Sequence, residues 1–123
     1  PKINTIPTAL IVKYFTPLMC SNTKSILATL SARVGSISDN FLGGWYSYRI
    51  SKAALNQLVK TASIEYKRKN PKLIIVSIHP GTVETKLSKP FLGKKKVQTP
   101  EEASMKIINV LQTKRKSLYD RSF

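Results

Sequence analysis

The chain has 123 residues, enough for one small domain at most, and its hydrophobic content of 41% excludes extensive disorder. Its formal net charge of +15, from 21 basic against 6 acidic residues, would suit a nucleic-acid or membrane-surface partner. The basic residues are nevertheless scattered, apart from short clusters at predicted helix ends and loops, so we interpret most of them as solvated surface and do not expect a nucleic-acid partner.

Apolar side chains recur at helical spacing through residues 3–19, which are therefore predicted to form an amphipathic helix. The members of this apolar face are Ile3, Ile6, Leu10, Tyr14 and Leu18, with Ile11 and Phe15 beside them. Pro7 fits only near the first turns of such a helix, and Pro17 only near its end. Asn4 lies at the start, where asparagine commonly caps free backbone N–H groups.

Two short apolar runs are predicted to be strands. Ser25–Leu30 is bounded by polar residues and is followed by a loop, residues 31–44, that is rich in serine, glycine, aspartate and asparagine. Residues 73–79, LIIVSIH, are almost continuously apolar, which is typical of a strand buried on both faces of a parallel sheet. We expect His79 to pack at the end of this strand rather than to act as a ligand or a base.

The longest predicted helix runs from Trp45 to Asn70, between a Gly43-Gly44 pair and Pro71. Its apolar residues fall at helical spacing: one line consists of Ala54, Leu58, Ala62 and Tyr66, with Leu55 and Val59 beside it. Three basic residues occupy the last turn, where positive charge suits the helix dipole.

A further helix is predicted to start at Thr99, because Thr99 can cap it, Pro100 suits its first turn and Glu102 completes a capping box. Its predicted buried stripe consists of Ala103, Ile107, Ile108 and Leu111. Residues 86–98 are predicted to be a mobile loop and residues 117–120 a final short strand. This alternation of helices and strands predicts an α/β fold with a parallel sheet.

Tyr48 and Lys52 stand four residues apart near the start of the long helix and project from nearly the same face. An ammonium group a few ångströms from a phenol stabilises the phenolate and lowers the tyrosine pKa from its usual value near 10. A tyrosine tuned in this way can exchange a proton with a substrate oxygen. Tyr46 is a weaker candidate, because its side chain lies far around the helix from Lys52. The alternative is a solvated Tyr/Lys pair without a catalytic role.

The segment YSYRISKAALNQL resembles the Tyr-x-x-x-Lys segment of the short-chain dehydrogenase/reductase family. Three further segments agree in order and spacing: Ile3-Asn4-Thr5, the run LATLSARVGSISDNFLGGWY, and HPGTVET at residues 79–85. The middle run is most similar to the C-factor and sniffer-like branch. The resemblance covers the chain from about Ile3 to Asp120 and implies an oxidoreductase that uses NAD or NADP on a small carbonyl or alcohol substrate.

The resemblance also implies roles for individual residues. Tyr48 would exchange the proton, Lys52 would lower its pKa and hold the nicotinamide ribose, and Asn4 would hold Lys52 through a water. The family usually has two serines at the end of the first strand, the second of them catalytic, but here Ala32 takes the second place. Ser31 and Ser36 remain as possible substitutes.

For the cofactor, the resemblance implies binding by the segment that follows the second strand. Ligands of open α/β sheets bind beyond the carboxyl ends of strands, where Pro80 and Gly81 lie. The backbone near Val83 would hold the nicotinamide carboxamide, and Thr85 would hold a phosphate oxygen. These contacts would add to those of Tyr48 and Lys52.

The predicted elements amount to the C-terminal half of a doubly wound, Rossmann-like parallel sheet, with the first half absent. No glycine-rich dinucleotide fingerprint occurs, and the chain begins at Pro1 inside an expected helix. We therefore expect residues 1–123 to form one partial domain that has little activity by itself. The strand at 25–30 would expose an apolar edge, which could pair with the missing half or with another copy.

Two other functions stay open at this point. The chain could be a non-catalytic remnant or interaction module of a truncated gene, or, less well supported, a basic nucleic-acid-binding protein. The single cysteine, Cys20, excludes an internal disulfide and suits a reducing compartment. Without a recognisable signal peptide, membrane-spanning run or metal-ligand cluster, we expect a cytoplasmic protein with no membrane partner and no metal site.

Overall fold

The computed structural model describes residues 4–19, 21–81 and 98–116. Helix α1 (Ile6–Phe15) continues into a 3-10 turn (Thr16–Leu18), and strand β1 (Ser25–Leu30) is followed by a second 3-10 turn (Arg33–Gly35). Helix α2 (Tyr46–Lys69), strand β2 (Leu73–Ile78) and helix α3 (Pro100–Lys116) complete the order. The predicted α/β order is confirmed, as are the bounds of both strands and of α2 to within one residue.

Strands β1 and β2 form a parallel two-stranded sheet in which Ser25 pairs with Leu73 and Leu30 pairs with Ile78. All six residues of β2 are buried, as its continuous apolar sequence predicts. One face of the sheet packs against α2 and α1, through Leu55, Val59, Ala62 and Val12. The other face packs against α3, through Ile107 and Leu111. The sheet is therefore the middle layer between two layers of helices.

Helix α2 turns Leu55, Val59 and Ala62 toward the sheet, so the core-facing line coincides only in part with the apolar line read from the sequence. Leu55 and Val59, predicted as flanking residues, are among the most deeply buried side chains. Of the line Ala54, Leu58, Ala62 and Tyr66, only Ala62 is buried and the other three are half-buried. Both lines have helical spacing, and the core selects the line that also places Lys52 against the end of β1.

The apolar face that periodicity indicates for the first helix is not its buried side in the structure. Ile6, Leu10, Tyr14 and Leu18 are exposed, as are Ile11 and Phe15. The buried residues are Val12 and Thr16, one turn apart on another side. That side is fixed toward α2 at its start, where the Thr5 hydroxyl donates a hydrogen bond to the backbone oxygen of Ser51 at 3.1 Å.

Within the described residues, strand β1 has a partner on one edge only. In the ranges that the structure covers, no strand pairs with the edge of β1 that faces away from β2. Leu30 is 57% exposed and Ala28 is also exposed, so part of one face of β1 lacks a helical cover among these residues. An edge with free backbone N–H and C=O groups and apolar side chains favours pairing with additional chain.

The start of α3 has the predicted capping box. The Thr99 hydroxyl accepts a hydrogen bond from the Glu102 backbone N–H at 3.2 Å, and a Glu102 carboxylate oxygen accepts one from the Thr99 N–H at 3.4 Å. Ala103 is buried, but Ile108 is 48% exposed, because the sheet contacts only the side of α3 that carries Ile107 and Leu111.

Three further predictions concern single positions or lie beyond the described ranges. His79 is exposed instead of packed, because the chain leaves the sheet after Ile78. Three predicted features lie outside the described residues: Cys20, residues 86–97 of the predicted loop, and the strand predicted at 117–120. Of the helices that can be described, none combines the length and the apolar character needed to span a bilayer.

Candidate active site

Tyr48 and Lys52 lie together near the start of α2. The Lys52 ammonium nitrogen is 5.9 Å from the centre of the Tyr48 ring, which is within the range of a cation–π contact. Tyr48 is 41% exposed, whereas Lys52 is only 9% exposed. The predicted proximity of these two side chains is confirmed, and it leaves the phenol accessible while the ammonium is largely buried.

The buried Lys52 is held at the carboxyl end of β1. Its Nζ donates a hydrogen bond to the backbone oxygen of Leu30 at 3.2 Å. Burial lowers the pKa of Lys52 below its ordinary value of 10.5, because desolvation disfavours the charged form. An ammonium group has three N–H donors, so the bond to Leu30, the one seen among the described residues, leaves donors for another group at this edge of the sheet.

The lowered pKa of Lys52 predicts a pH dependence of stability. Between the lowered folded-state pKa and 10.5, the unfolded chain holds this proton and the folded chain has lost it. The unfolded state then binds more protons, so stability should rise with pH across that window, by at most about 1.4 kcal/mol per pH unit. Lys52→Met should remove this contribution. The measurement is the unfolding free energy of wild type and of Lys52→Met from pH 8 upward. A wild-type value that falls relative to the variant as pH rises would contradict a lowered pKa of Lys52.

Asn4 contacts the same turn of α2. Its amide nitrogen donates a hydrogen bond to the Ser51 hydroxyl oxygen at 3.1 Å. The Ser51 hydroxyl in turn donates to the backbone oxygen of Tyr48 at 2.9 Å. The structure thus connects Asn4, through Ser51, to the helical turn between Tyr48 and Lys52.

The two candidate serines are oriented differently from each other. Ser31 is buried, and its hydroxyl donates to the amide oxygen of Asn56 at 2.6 Å. Since a serine has one O–H, this proton is already engaged. Ser36 is half-buried; its hydroxyl oxygen lies 3.2 Å from that of Ser38.

Both serines line a cavity of about 700 Å³ between the loop after β1 and the side of α2 that carries Asn56, Gln57 and Lys60. Tyr48 and Lys52 are not among the described residues that line it. Ala32 has no hydroxyl to offer, and a catalytic role for Ser31 or Ser36 stays a prediction. Asn56 also accepts a hydrogen bond from Ser77 at 3.4 Å, so it connects both strand ends to α2.

A left-handed turn immediately precedes α2. Gly43, Gly44 and Trp45 have positive φ angles of 67°, 69° and 56°. The Arg49 guanidinium donates hydrogen bonds to the backbone oxygens of Gly44 and Gly43, at 2.8 and 3.1 Å. This role of Arg49 was not predicted from the sequence, although the Gly43-Gly44 pair indicated an unusual backbone here. The turn places the Trp45 ring 6.2 Å from the Tyr48 ring.

The conformation of Trp45 predicts an unusual order of stability among its variants. A Cβ atom in the left-handed region is unfavourable by about 1–2 kcal/mol, and glycine avoids this cost. Part of that advantage is lost because glycine also makes the unfolded chain more flexible. Trp45→Gly should therefore be more stable than Trp45→Ala by about 0.5–1 kcal/mol. Both variants lack the indole, so denaturant unfolding of the pair isolates the backbone effect. Equal stability, or a more stable alanine variant, would show that the left-handed conformation is not maintained.

The segment after β2 begins with Pro80 and Gly81, two of the predicted cofactor-binding residues. Gly81 has a φ of 81°, and a Cβ built on it would lie 2.7 Å from the amide nitrogen of Gln98. That nitrogen donates to the backbone oxygen of Pro80 at 2.6 Å. Val83 and Thr85 lie outside the described residues. Within the described part of the chain, no three His, Cys, Asp or Glu residues are grouped as metal ligands would be.

Comparison with known proteins identifies relatives of the chain. A family model described as Enoyl-(Acyl carrier protein) reductase matches residues 2–115. The 1-hydroxy-2-glutathionyl-2-methyl-3-butene dehydrogenase of Rhodococcus sp. (strain AD45) is 36% identical over 107 residues, which are 87% of this chain and 46% of that protein.

Solved structures agree with this relationship. The carbonyl reductase Sniffer of D. melanogaster has a TM-score of 0.79 at 23% identity, over 97% of this chain and 51% of that one, and shows the shared fold. The NADPH-bound carbonyl reductase from chicken fatty liver has a TM-score of 0.76 at 29% identity, over 97% of this chain and 49% of that one. The chain thus spans about half the length of these relatives, and it belongs to the short-chain dehydrogenase/reductase family of oxidoreductases.

Proposed function

We propose that this chain forms the proton-transferring part of an NAD(P)(H)-dependent oxidoreductase that interconverts a carbonyl compound and an alcohol. The observation that carries the proposal is the accessible Tyr48 phenol beside the buried Lys52 ammonium, 5.9 Å from ring centre to nitrogen. Tyr48 donates its proton to the carbonyl oxygen during reduction and accepts it back during oxidation. The Lys52 charge stabilises the phenolate that forms.

Lys52 also has donors for a second task. One of its N–H groups is used by the Leu30 backbone oxygen, and the remaining donors suit the hydroxyls of a nicotinamide ribose. Asn4 holds the turn between Tyr48 and Lys52 through Ser51, so we assign it a positioning role. The bound cofactor supplies the hydride.

The ends of the two strands suit one end of such a cofactor. Lys52 reaches the carboxyl end of β1, and Pro80 and Gly81 follow β2 at the same edge, where ligands of open α/β sheets bind. We propose Pro80, Gly81, Val83 and Thr85 as contacts of the nicotinamide and its phosphate. One structural neighbour carries NADPH and another, from Burkholderia multivorans, carries NADP. These neighbours support NADP as the cofactor of this chain, with NAD as the alternative.

We propose that residues 1–123 act as one C-terminal partial domain, and that the protein works in the cytoplasm. Activity should then require more polypeptide than these residues. The experiment compares the purified chain with a completed chain, meaning this sequence fused behind the first half of a family member. Only the completed chain should oxidise NAD(P)H with a carbonyl substrate. Turnover by the isolated chain on the order of 1 s⁻¹ would contradict the requirement.

A non-catalytic interaction module is the second candidate. Ala32 lacks a hydroxyl and the Ser31 proton is engaged by Asn56, so neither of these two positions offers a free O–H to polarise a carbonyl. If this candidate holds, the first half of a family member should bind the chain without producing turnover. A folded, cofactor-binding but inactive completed chain would therefore favour the second candidate over the first.

A further inference from the structure

The segment just before Tyr48 presents apolar side chains to solvent. The three most exposed large apolar side chains of the described residues, Ile37, Phe41 and Leu42, all lie in it. Trp45 follows and is 63% exposed, with its ring next to that of Tyr48. Contiguous exposed apolar surface on a folded protein commonly marks a place where a ligand or partner binds.

This segment is held in place by polar contacts rather than by apolar packing. Arg33 and Asp39 form an ion pair at 3.3 Å. The amide oxygen of Asn40 accepts a hydrogen bond from the Gly43 N–H at 3.0 Å. Arg49 then fixes the carbonyls of the left-handed turn, as described above. The apolar side chains are thus held outward by a framework that does not depend on burying them.

Trp45 carries the strongest evidence of a specific role. A bulky residue with a φ of 56° is in a sparsely populated region, where local strain of about 1–3 kcal/mol is typical. Glycine would adopt this conformation without strain, as its neighbour Gly44 does. The strained residue is an exposed tryptophan whose ring is 6.2 Å from the Tyr48 ring, so the left-handed backbone places an aromatic surface beside the candidate acid.

We propose that Trp45 is a specificity-determining residue that packs against a planar aromatic group of the substrate, which makes the substrate class an aryl aldehyde or aryl ketone. In such compounds the carbonyl carbon is bonded directly to the ring. An aryl group on Trp45 therefore keeps the carbonyl close to the Tyr48 hydroxyl. This proposal rests on the proposed function, because Tyr48 is taken as the proton donor.

The test is ligand-observed NMR on the purified chain with two probes of similar size, acetophenone and cyclohexyl methyl ketone. Both carry the same acetyl group, and only the first has a planar ring. We expect acetophenone to bind about three- to tenfold more tightly, which is the range for a favourable aromatic contact. Trp45→Ala should abolish this preference, and Trp45→Phe should keep most of it. Acetophenone should also quench the fluorescence of Trp45, the only tryptophan in the chain, in a saturable way.

Two controls make the result specific. Tyr14→Ala removes an aromatic side chain that is exposed to a similar extent, 60% against 63%, but on α1, and it should leave the preference unchanged. Tyr48→Phe keeps the neighbouring ring and removes only the hydroxyl, so it should also keep the preference. Equal affinity of wild type for the two ketones, no saturable binding at millimolar concentration, or a preference that survives Trp45→Ala would each overturn the proposal.

Binding preference of the purified chain and turnover of the completed chain, measured together, separate this proposal from the proposed function. If the completed chain requires the Tyr48 hydroxyl for turnover but shows no aryl preference, the function stands and the Trp45 proposal fails. If the aryl preference depends on Trp45 but Tyr48→Phe does not lower turnover, the Trp45 contact stands and the role of Tyr48 as the acid fails.

Discussion

Tyr48→Phe should lower turnover of the completed chain by about 10²–10⁴-fold, the usual contribution of a positioned general acid. The substitution removes one hydroxyl from a side chain that is 41% exposed and leaves the ring beside Lys52. Folding and cofactor affinity should therefore change little. Steady-state kinetics, together with a direct titration of NAD(P)H, would measure the two effects separately.

The matched control is Tyr46→Phe. Tyr46 lies two residues earlier in the chain and is 79% exposed, and it has no described contact with Lys52. Loss of its hydroxyl should leave turnover unchanged. If the Tyr48 variant kept its turnover and the Tyr46 variant lost it, Tyr46 and not Tyr48 would be the proton donor.

Gly35→Ala should have the largest effect among variants of the described glycines, because it combines a stability loss with displacement of Lys52. Gly35 is buried, and a Cβ built there would lie 2.8 Å from the backbone carbon of Lys52 and 2.8 Å from the amide nitrogen of Asn56. Backbone cannot yield as a flexible side chain can, so the loop and α2 must separate. We expect a loss of about 1–3 kcal/mol in unfolding free energy, as for other overpacked sites, and a large loss of turnover in the completed chain.

Gly43→Ala provides the comparison. A Cβ at Gly43 would meet no atom within 4 Å, but its φ of 67° is unfavourable for alanine. The expected loss is about 1–2 kcal/mol from backbone conformation alone, without a shift of Lys52. Denaturant unfolding would measure both losses. If the two variants lose turnover equally at equal folded fraction, close packing of Gly35 against Lys52 is not what positions the ammonium.

The sequence predicted the elements well, because their signals are local. Continuous apolar residues indicated β2, the capping box indicated the start of α3, and the proximity of Tyr48 and Lys52 followed from their spacing on a helix. The buried side of α1 was not predictable in the same way. That helix has apolar residues on more than one side, so periodicity identifies it as a helix without selecting the side that contacts α2.

The missed features of the candidate site depend on contacts between distant residues. Asn56 accepts hydrogen bonds from Ser31 and Ser77, which come from the ends of different strands, and no spacing rule connects the three. The sequence left both Ser31 and Ser36 open as donors, and only the position of Asn56 shows that the Ser31 proton is engaged. Likewise, the clamp made by Arg49 becomes visible only once the carbonyls of the left-handed turn are placed.

The parallel pairing of β1 with β2 also has a consequence for how the chain folds. The partners Ser25 and Leu73 are separated by the whole of α2, so the two strands can meet only after a long loop closes, which is entropically unfavourable. Helix α2 needs only local contacts and shortens that loop as it forms. We therefore expect strand association to be a late and slow step, and stabilising α2 to accelerate it.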